Sequence, residues 1–333
     1  MHVLAAVDKF RGTASAAEVA RAIGHACWEL GHECDEVPMA DGGEGTLEAL
    51  GGANRQTTVT GPLSRPVVAP WRISRNTAVI EMAQASGLSL AGGRTGNDPL
   101  AASTAGTGEL IDRALDAGAK KIIVCLGGSA TTDGGLGALN AIRSPNRLRG
   151  VQLLVACDVT TLFVDAAADF GPQKGASPAQ VAMLTGRLER LAQVYKESYG
   201  VDVRRVPGSG AAGGLAGALV ALGGRLLPGF DLVADEVDLH DRIAGADFVI
   251  TGEGFLDRQS FHGKVVGGTK ILAKRYGKPI TAIVGGLDDD VADQIDHLSL
   301  VAMFGADRAM NETKMCVEQA ALQLLRGRQP SLG

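Results

Sequence analysis

The sequence predicts an α/β fold of two α/β domains: a parallel Rossmann- or flavodoxin-like sheet, with a second, mixed α/β domain inserted. Apolar runs that end in glycines and acidic residues alternate with helical patterns, which favours a parallel sheet. The chain of 333 residues is too long for one ordinary core. Its last three predicted strands resemble the N-terminal unit in pattern. We therefore expect a discontinuous domain at residues 1–58 plus 247–333, and an inserted domain at 59–246.

Composition narrows the class of protein. Hydrophobic residues make up 45% of the chain and charged residues 21%, which is typical of a globular protein. Aromatic residues at 4% and a net charge of -5 argue against a nucleic-acid partner. No run of about 18 apolar residues occurs, so no membrane partner is expected. The cysteines are widely spaced without a CxxC pair, which favours free thiols in the cytoplasm.

The N-terminal segment predicts a strand, a helix and a second strand. The apolar run "HVLAAVD" is typical of a buried strand whose carboxyl end meets a site. Ser15 can cap the next helix, Glu18 can complete a capping box, and Gly31 can end the helix. "CDEVPMADGGEGTLEALGG" then predicts a strand, a glycine turn and a short helix.

The middle of the chain begins with a different pattern. Residues 55–83 hold short β-branched runs broken by prolines, which predicts antiparallel strands or a sheet edge. "STAGTGELIDRALDAGAKKIIVCLGG" predicts a helix and a strand, and "VQLLVACD" a further buried strand. The clearest long helix begins after Ser177, a suitable cap, with Pro178 at its first position.

The C-terminal part returns to alternation. "ADFVITGEG", "PITAIVGG" and "LSLVAMFG" predict strands, with the helix "GGTKILAKRYG" after the first. A short helix is expected near residues 289–295, and a final helix through "MCVEQAALQLLRG".

Acidic residues and glycines follow many of the predicted strands. Ligands of open parallel sheets bind outside the carboxyl ends of the strands, where glycines let backbone N–H groups approach an anion. Carboxylates suit such a site if Mg²⁺ lies between them and phosphate oxygens. The pattern therefore suggests phosphoryl transfer from a nucleotide. The acidic residues concerned are Asp41, Glu44, Asp133, Asp158, Glu253 and Asp257.

Each instance of this pattern also has a structural explanation. A glycine pair is often only a turn, and an aspartate after a strand is often a helix cap. The P-loop motif GxxxxGK[ST] is absent, whereas "GSGAAG" from Gly208 to Gly213 matches GxGxxG. The preceding "VDVRRVP" is a poor strand, so close packing or ligand contact is the stronger interpretation. A nicotinamide-dependent oxidoreductase remains an alternative.

The longer motifs resemble those of the type I glycerate kinases, a bacterial family that phosphorylates D-glycerate with ATP. The resemblance runs nearly end to end. It implies one domain inserted in the other with an active-site cleft between them, ATP as phosphoryl donor and 2-phosphoglycerate as product, with 3-phosphoglycerate as the alternative. The oligomeric state stays open, a homodimer being one option. The motifs are "PMADGGEGT", "IEMAQASGL", "STAGTGELI", "CLGGSATTDGG", "ACDVT", "FGPQKGA", "PGSGAAGGL" and "ADFVITGEGFLDRQSFHGK".

The chain departs from the family pattern at four places, one of which is a shorter segment before "FGPQKGA". The family opening "DSFKGS" is "DKFRGT" here, so that Arg11 takes the position of the lysine and Lys9 that of the serine. "CDVTNPL" becomes "CDVTTLF". After "GGLGALNA", the short "IRSPNRLRG" stands where the family has a few dozen more residues. This shortening either removes a surface segment only, or it indicates an altered substrate. A third interpretation is a non-catalytic sensor of glycerate or nucleotide.

The expected mechanism is direct transfer of the γ-phosphoryl group to a glycerate hydroxyl. Asp41 is our first choice for the base that accepts the hydroxyl proton, and Asp133 the second. Arg11 and Lys9 could clamp a carboxylate or a phosphate. Substrate or phosphate contacts are expected from Asp8, Gly42, Gly43, Glu44, Gly127, Gly128, Ser129, Thr131, Thr132, Lys174, Gly208, Ser209, Gly210 and Lys264. Mg²⁺ contacts are expected from Asp158, Glu253 and Asp257.

Overall fold

The structure, a computed structural model, describes residues 1–328. The described strands are β1 (His2–Val7), β2 (Glu33–Pro38), β3 (Arg55–Thr60), β4 (Pro66–Ser74), β5 (Thr77–Glu81), β6 (Lys121–Cys125), β7 (Gln152–Ala156), β8 (Arg225–Leu227), β9 (Phe248–Leu256), β10 (Ile280–Leu287) and β11 (His297–Ser299).

The described α-helices are α1 (Ala16–Glu29), α2 (Thr46–Ala49), α3 (Ala83–Ser86), α4 (Gly93–Gly96), α5 (Ala105–Asp116), α6 (Leu136–Ala141), α7 (Ala166–Phe170), α8 (Pro178–Tyr199), α9 (Leu215–Ala221), α10 (Gly229–Glu236), α11 (Leu239–Gly245), α12 (Val265–Arg275), α13 (Leu300–Phe304), α14 (Ala306–Asn311) and α15 (Thr313–Arg326). Short 3-10 helices cover Pro145–Leu148, Phe163–Asp165, Pro172–Lys174, Val203–Arg205, Ala211–Gly214, Arg258–Phe261 and Asp289–Gln294.

The chain divides into two compact units. Unit 1 contains Met1–Asp41, Glu48–Leu50 and the described residues from Phe230 onward, and unit 2 contains Gly42–Leu47 and Gly51–Gly229. The predicted bounds of 1–58 plus 247–333 and 59–246 differ from these at both junctions. β3 lies in unit 2 because it pairs with β4, and α10 and α11 lie in unit 1 because their apolar residues pack with those of β1.

Unit 1 is built on a parallel sheet with the strand order β11-β10-β9-β1-β2. The chain moves from β1 outward to β2, and from β9 outward through β10 to β11 in the other direction. The order therefore reverses between β1 and β9, where Val7 pairs with Gly252. Such a switch point is where open α/β sheets bind ligands.

Helices cover both faces of this sheet. On one face, α1 and α15 bury a core that includes Ile23 and Val317. On the other face, α10, α11 and α12 pack Val233, Ile243 and Ala273 against the strands. The predicted capping box at α1 is confirmed: Ser15 Oγ accepts from Glu18 N at 3.3 Å, while Glu18 Oε2 accepts from Ser15 N at 3.0 Å.

Unit 2 is built on a mixed sheet with the order β3-β4-β5-β6-β7-β8. β3, β4 and β5 run antiparallel, which confirms the interpretation of residues 55–83, and the pairs from β5 to β8 are parallel. A separate cluster of α8 side chains packs on Phe163. The predicted start of α8 is confirmed, since Ser177 and Gln180 form a capping box there.

One predicted strand is shorter than expected. Of "LSLVAMFG", only the beginning belongs to β11, and α13 takes the rest. The hydroxyl of Ser299 accepts a hydrogen bond from Ala302 N at 3.3 Å and so caps the helix. Periodicity could not separate a short apolar helix from a buried strand in this run. Among residues 1–328, no helix has the length and hydropathy of a membrane span.

The short connection "IRSPNRLRG" is anchored within unit 2. Ile142 and Leu148 are buried in its core. Asp112 on α5 accepts from Arg143 Nε and from Arg147 Nη1, both at 2.5 Å, and Asp116 pairs with the same two arginines. These contacts give the connection a defined structure in place of a longer excursion.

Replacing Asp112 tests this anchoring. Asp112 is 7% exposed, and Asn would keep its shape but lose the charge-assisted hydrogen bonds. We expect Asp112→Asn to lower the free energy of unfolding by about 1–2 kcal/mol in urea denaturation, and Glu189→Gln, at an exposed site of α8, to leave it unchanged. An unchanged denaturation midpoint for Asp112→Asn would show that the network contributes nothing.

Candidate active site

A cavity of about 660 Å³ lies in unit 1 along the carboxyl edge of its sheet. It covers the switch point between β1 and β9, and its volume is typical of small-molecule sites. One part of its wall is charged and combines several of the residues singled out in the sequence. These are Asp8, Lys9, Arg11, Asp41, Glu253, Asp257 and Lys264.

The loop after β1 brings three of these side chains to the cavity. Asp8 N donates to Gly252 O at 2.9 Å, which continues the pairing with β9 beyond the strand end. Phe10 N then donates to Ala14 O at 2.8 Å and closes a tight turn. A Cβ at Gly254 would lie 3.1 Å from Arg11 N, so the absence of a side chain there lets this loop lie against β9.

Asp8 and Glu253 carry the largest electrostatic perturbations in the cavity. Burial raises the pKa of Asp8 to about 6, and Lys9 partly opposes this while Asp41 adds to it. Burial likewise raises the pKa of Glu253 to about 7, with the Ser260 hydroxyl opposing and Asp8 adding repulsion. Perturbed carboxyl groups in a cavity indicate a functional site when their geometry agrees.

Glu253 has an unsatisfied oxygen. Its Oε1 is buried and has no hydrogen-bond partner within the described chain. A buried carboxylate oxygen without a partner is costly, and a cation bound there would offset the cost. Carboxylate oxygens are also the protein ligands that Mg²⁺ prefers, so the donor chemistry of Asp8 and Glu253 fits this ion.

Asp257 and Lys264 take different positions at the same wall. Asp257 Oδ1 accepts from Ser260 N at 3.0 Å and Ser260 Oγ at 3.2 Å, so it caps the 3-10 helix Arg258–Phe261. Lys264 stands at the N-cap of α12, and its charge stabilises the ionised forms of both Asp8 and Glu253. The cavity therefore has a cationic group next to its perturbed carboxyls.

Unit 2 holds a second polar cluster, around Lys174. This side chain is 2% exposed, and its Nζ donates to Thr131 O at 2.6 Å. Burial lowers the pKa of Lys174 to about 7, an effect that the charge of Asp133 opposes. Thr132 Oγ1 and Asn97 Oδ1 are buried and have no hydrogen-bond partner in residues 1–328. The cluster therefore has unused hydrogen-bonding capacity.

Asp133 has the contacts of a structural cap. Its Oδ2 accepts from Thr104 N and Thr104 Oγ1, both at 2.8 Å, and from Gly137 N at 3.1 Å, while Oδ1 accepts from Gly135 N at 3.0 Å. These bonds tie the starts of α5 and α6 together. A carboxylate engaged in this way is poorly placed to accept a further proton.

The glycines of "CLGGSATTDGG" mainly allow backbones to approach each other. A Cβ at Gly127 would lie 3.1 Å from Gly43 Cα, so the two glycine loops pack directly. Gly128 has φ +68° and its carbonyl accepts from Leu88 N at 2.8 Å. Ser129 is 9% exposed and forms a bridge to Gly87. Close packing therefore accounts for much of the small-residue composition.

Glu81 fixes the loop that contains Gly42, Gly43 and the exposed Glu44. It is 3% exposed, and its Oε1 accepts from Gly45 N at 3.0 Å and Leu47 N at 2.8 Å. Glu81 lies in the motif "IEMAQASGL" but is not among the predicted site residues. An acidic residue at the end of a buried strand was the available signal.

The match to GxGxxG is not a dinucleotide fingerprint. It follows the 3-10 helix Val203–Arg205, whereas the fingerprint requires a strand there. Ser209 is fully buried and donates to Val203 O at 2.7 Å. A Cβ at Gly210 would lie 2.4 Å from Leu162 O. Gly208 and Gly210 therefore pack closely against neighbouring segments of unit 2, and the oxidoreductase alternative loses its motif.

The three expected metal ligands are divided between the two units. Asp158 belongs to unit 2, where its Oδ1 accepts from Gly229 N at 2.7 Å, while Glu253 and Asp257 belong to unit 1. Within residues 1–328, no group of three or more His, Cys, Asp or Glu side chains is arranged to hold a metal ion. A magnesium ion at the unit 1 cavity would need substrate oxygens as further ligands.

Comparison with known proteins identifies the family of this chain and supports its fold. The model of the glycerate kinase family matches residues 3–145 and 142–329. The chain is 43% identical to glycerate 2-kinase of Escherichia coli (strain K12), over 89% of this chain and 88% of that protein. It is 38% identical to glycerate kinase of Halalkalibacterium halodurans, over 96% of both. A solved structure from Salmonella typhimurium LT2, described with the name glycerate kinase 2, has a TM-score of 0.85 at 36% identity and covers 99% of this chain and 100% of its own.

These comparisons also bear on the short connection. The two segments matched by the family model meet at residues 142–145, where "IRSPNRLRG" begins. The alignment with the Halalkalibacterium protein spans 365 positions, more than the 333 residues of this chain, so that protein has residues which this chain lacks.

Lys174→Met should show how the buried amine affects stability. Burial favours the neutral amine in the folded state. The stability that Lys174 contributes is therefore fully present above about pH 10.5 and is lost as pH falls through about 7. We expect the stability of Lys174→Met relative to wild type to rise by roughly 3–5 kcal/mol between pH 10 and pH 7. The exposed control Lys120→Met should show no such trend in urea denaturation. A pH-independent difference for Lys174→Met would contradict the burial of its amine.

Glu253→Gln should have the opposite pH trend. The folded-state pKa of Glu253 is raised. The stability that this residue contributes is therefore fully present below about pH 4.5 and is lost as pH rises through about 7. Without added nucleotide or metal, Glu253→Gln should gain up to about 3 kcal/mol relative to wild type between pH 5 and pH 8. The exposed control Glu48→Gln should gain nothing. A constant difference across this range in thermal or urea denaturation would refute the assignment.

Proposed function

The chain belongs to the glycerate kinase family, and from this premise we propose that it transfers the γ-phosphoryl group of ATP to D-glycerate. The enzyme phosphorylates glycerate. We propose three further points: that ATP is the phosphoryl donor, that the substrate is the D-enantiomer of glycerate, and which glycerate hydroxyl is phosphorylated. The observation that carries the proposal is the cavity at the switch point of unit 1, because it combines buried carboxyls with Lys264 at the start of a helix.

Asp8 and Glu253 are the proposed magnesium ligands. Both line the cavity, and Glu253 Oε1 lacks a partner in the described chain. Mg²⁺, when bound with the nucleotide, would neutralise phosphate charge there. Lys264, next to these carboxyls, would bind phosphate oxygens, and Arg11 and Lys9 would bind a phosphate or the carboxylate of glycerate.

Asp41 is the proposed general base. The glycerate hydroxyl oxygen attacks the γ-phosphorus, and the bond from that phosphorus to the β–γ bridging oxygen breaks, which releases ADP. The hydroxyl proton passes to the carboxylate of Asp41. Asp41 follows β2, lines the cavity and is close enough to Asp8 to raise the pKa of that carboxyl. Asp133 is less suited because its oxygens accept four hydrogen bonds from the protein.

In unit 2, we propose that the Lys174 cluster binds an anionic group of a substrate. Within residues 1–328, Lys174 Nζ has one hydrogen-bond acceptor, Thr131 O, and Thr132 Oγ1 has no partner. An anion at this amine would stabilise its charged form against burial. Binding should then be accompanied by proton uptake near neutral pH.

The proposed product is 2-phosphoglycerate, with 3-phosphoglycerate as the alternative. The name glycerate 2-kinase of the Escherichia coli relative supports the first. The short connection, which raised the question of a non-catalytic sensor, is packed and ion-paired within unit 2. These contacts favour a lost excursion over a damaged domain.

The experiment is a coupled ADP-release assay with MgATP and D-glycerate, with L-glycerate as substrate control and ³¹P NMR to identify the product. Asp41→Asn should lower kcat by about 10²–10⁴-fold because the proton acceptor is lost. The matched control Asp241→Asn, at an exposed site in unit 1, should leave kcat unchanged. Near-normal turnover in Asp41→Asn would remove Asp41 from the mechanism. Nucleotide binding without turnover in wild type would indicate a sensor.

A further inference from the structure

We propose that the apolar end of the unit 1 cavity binds the nucleobase of the phosphoryl donor by contact with aromatic and aliphatic side chains. This inference rests on the proposed function only in taking the donor to be a nucleoside triphosphate. The surface concerned, here called the apolar wall, consists of Phe255, Leu287, Val301, Ala302, Ala309 and Met310.

The strand order separates the two ends of the cavity. The charged residues lie after β1 and β2, within β9 at Glu253, and after β9, which is the central strand of the sheet. The wall is formed by Phe255 near the end of β9, by the end of β10, and by α13 and α14 after β11, toward the β11 edge of the sheet. A ligand along this edge therefore meets charge at one end and apolar surface at the other.

Phe255 is the central residue of the wall. It pairs in register with Gly286 on β10, and a Cβ at Gly286 would lie 3.3 Å from Phe255 Cδ2 and 4.0 Å from Val301 Cγ2. The glycine thus leaves space where the ring and Val301 come together. Phe255 is 54% exposed, Val301 41% and Met310 60%, so these large apolar side chains retain much surface to cover.

The chemistry of the cavity selects the kind of ligand. Glycerate is a three-carbon acid with hydroxyl groups and has no apolar surface to place against the wall. A nucleoside triphosphate has both features, an anionic end that suits Lys264 and a magnesium ion, and a planar base that suits an aromatic ring and a thioether. The volume of about 660 Å³ is enough for a ligand of this size.

The test compares two magnesium-bound ligands by isothermal titration calorimetry: ATP, and inorganic tripolyphosphate, which has no base. Phe255→Ala and Met310→Ala remove parts of the wall at exposed positions, where truncation should not disturb the fold. Ile271→Ala is the matched control, since Ile271 is 64% exposed in the same unit and does not line the cavity.

We expect Phe255→Ala to weaken ATP binding by about 5- to 100-fold, from the loss of a stacking contact, and to leave tripolyphosphate binding unchanged. Met310→Ala should weaken ATP binding less, and Ile271→Ala should not change it. Unchanged ATP affinity in Phe255→Ala would overturn the inference, and so would an equal loss for both ligands.

Turnover separates this inference from the proposed function. If ATP binding depends on Phe255 but glycerate is not phosphorylated, the proposed function fails and the inference stands. If glycerate is phosphorylated from ATP and Phe255→Ala leaves both the ATP affinity and the KM for ATP unchanged, the inference fails and the function stands.

Discussion

The burial of Asp8 and Glu253 next to each other is the constraint on which the candidate site depends. Parallel pairing of Val7 with Gly252 brings Asp8 and Glu253 close together on adjacent strands, where burial disfavours the ionised form of each carboxyl and the charge of Asp8 further disfavours that of Glu253. A protein core would gain stability by replacing such a pair with apolar residues. Its presence at a switch point is explained if a cation and an anionic ligand bind there. Lys9 and Lys264 supply part of the positive charge, and the proposed magnesium ion would supply the rest.

Unit 2 contains the opposite case, a buried amine. Lys174 is held by a backbone carbonyl, and Asp133, which influences its charge, is itself fixed by the ends of two helices. Each unit thus contains a buried ionisable group that lowers its stability, held among closely packed backbone segments. Glycines make this possible: no side chain would fit at Gly127 or Gly254 without moving a neighbouring backbone. Burial of these ionisable groups both lowers stability and prepares them to bind charged ligands.

Local signals in the sequence were sufficient to predict most helices and strands and part of the candidate site. The capping boxes at Ser15 and Ser177 depend on residues three positions apart, and the acidic residues after β1, β2 and β9 meet because parallel strands end at one edge. The sequence does not identify the partners of Glu81, which lie 34–36 residues away in the chain, or the contact of Asp133 with Thr104, which lies 29 residues away. The apolar wall likewise depends on the register of β9 with β10, which periodicity does not determine. The end of β11 was misassigned because Ser299 caps a helix within an apolar run.

The central claim is that the nucleotide phosphates lie at the carboxyl edge of the unit 1 sheet. Hydrogen–deuterium exchange of the wild-type protein with and without MgATP tests it most directly, because bound phosphates slow exchange of the amides they contact. The account predicts protection in residues 8–13, 252–257 and 263–268, and none in 208–213. Protection confined to residues 208–213, with the unit 1 segments unchanged, would contradict it.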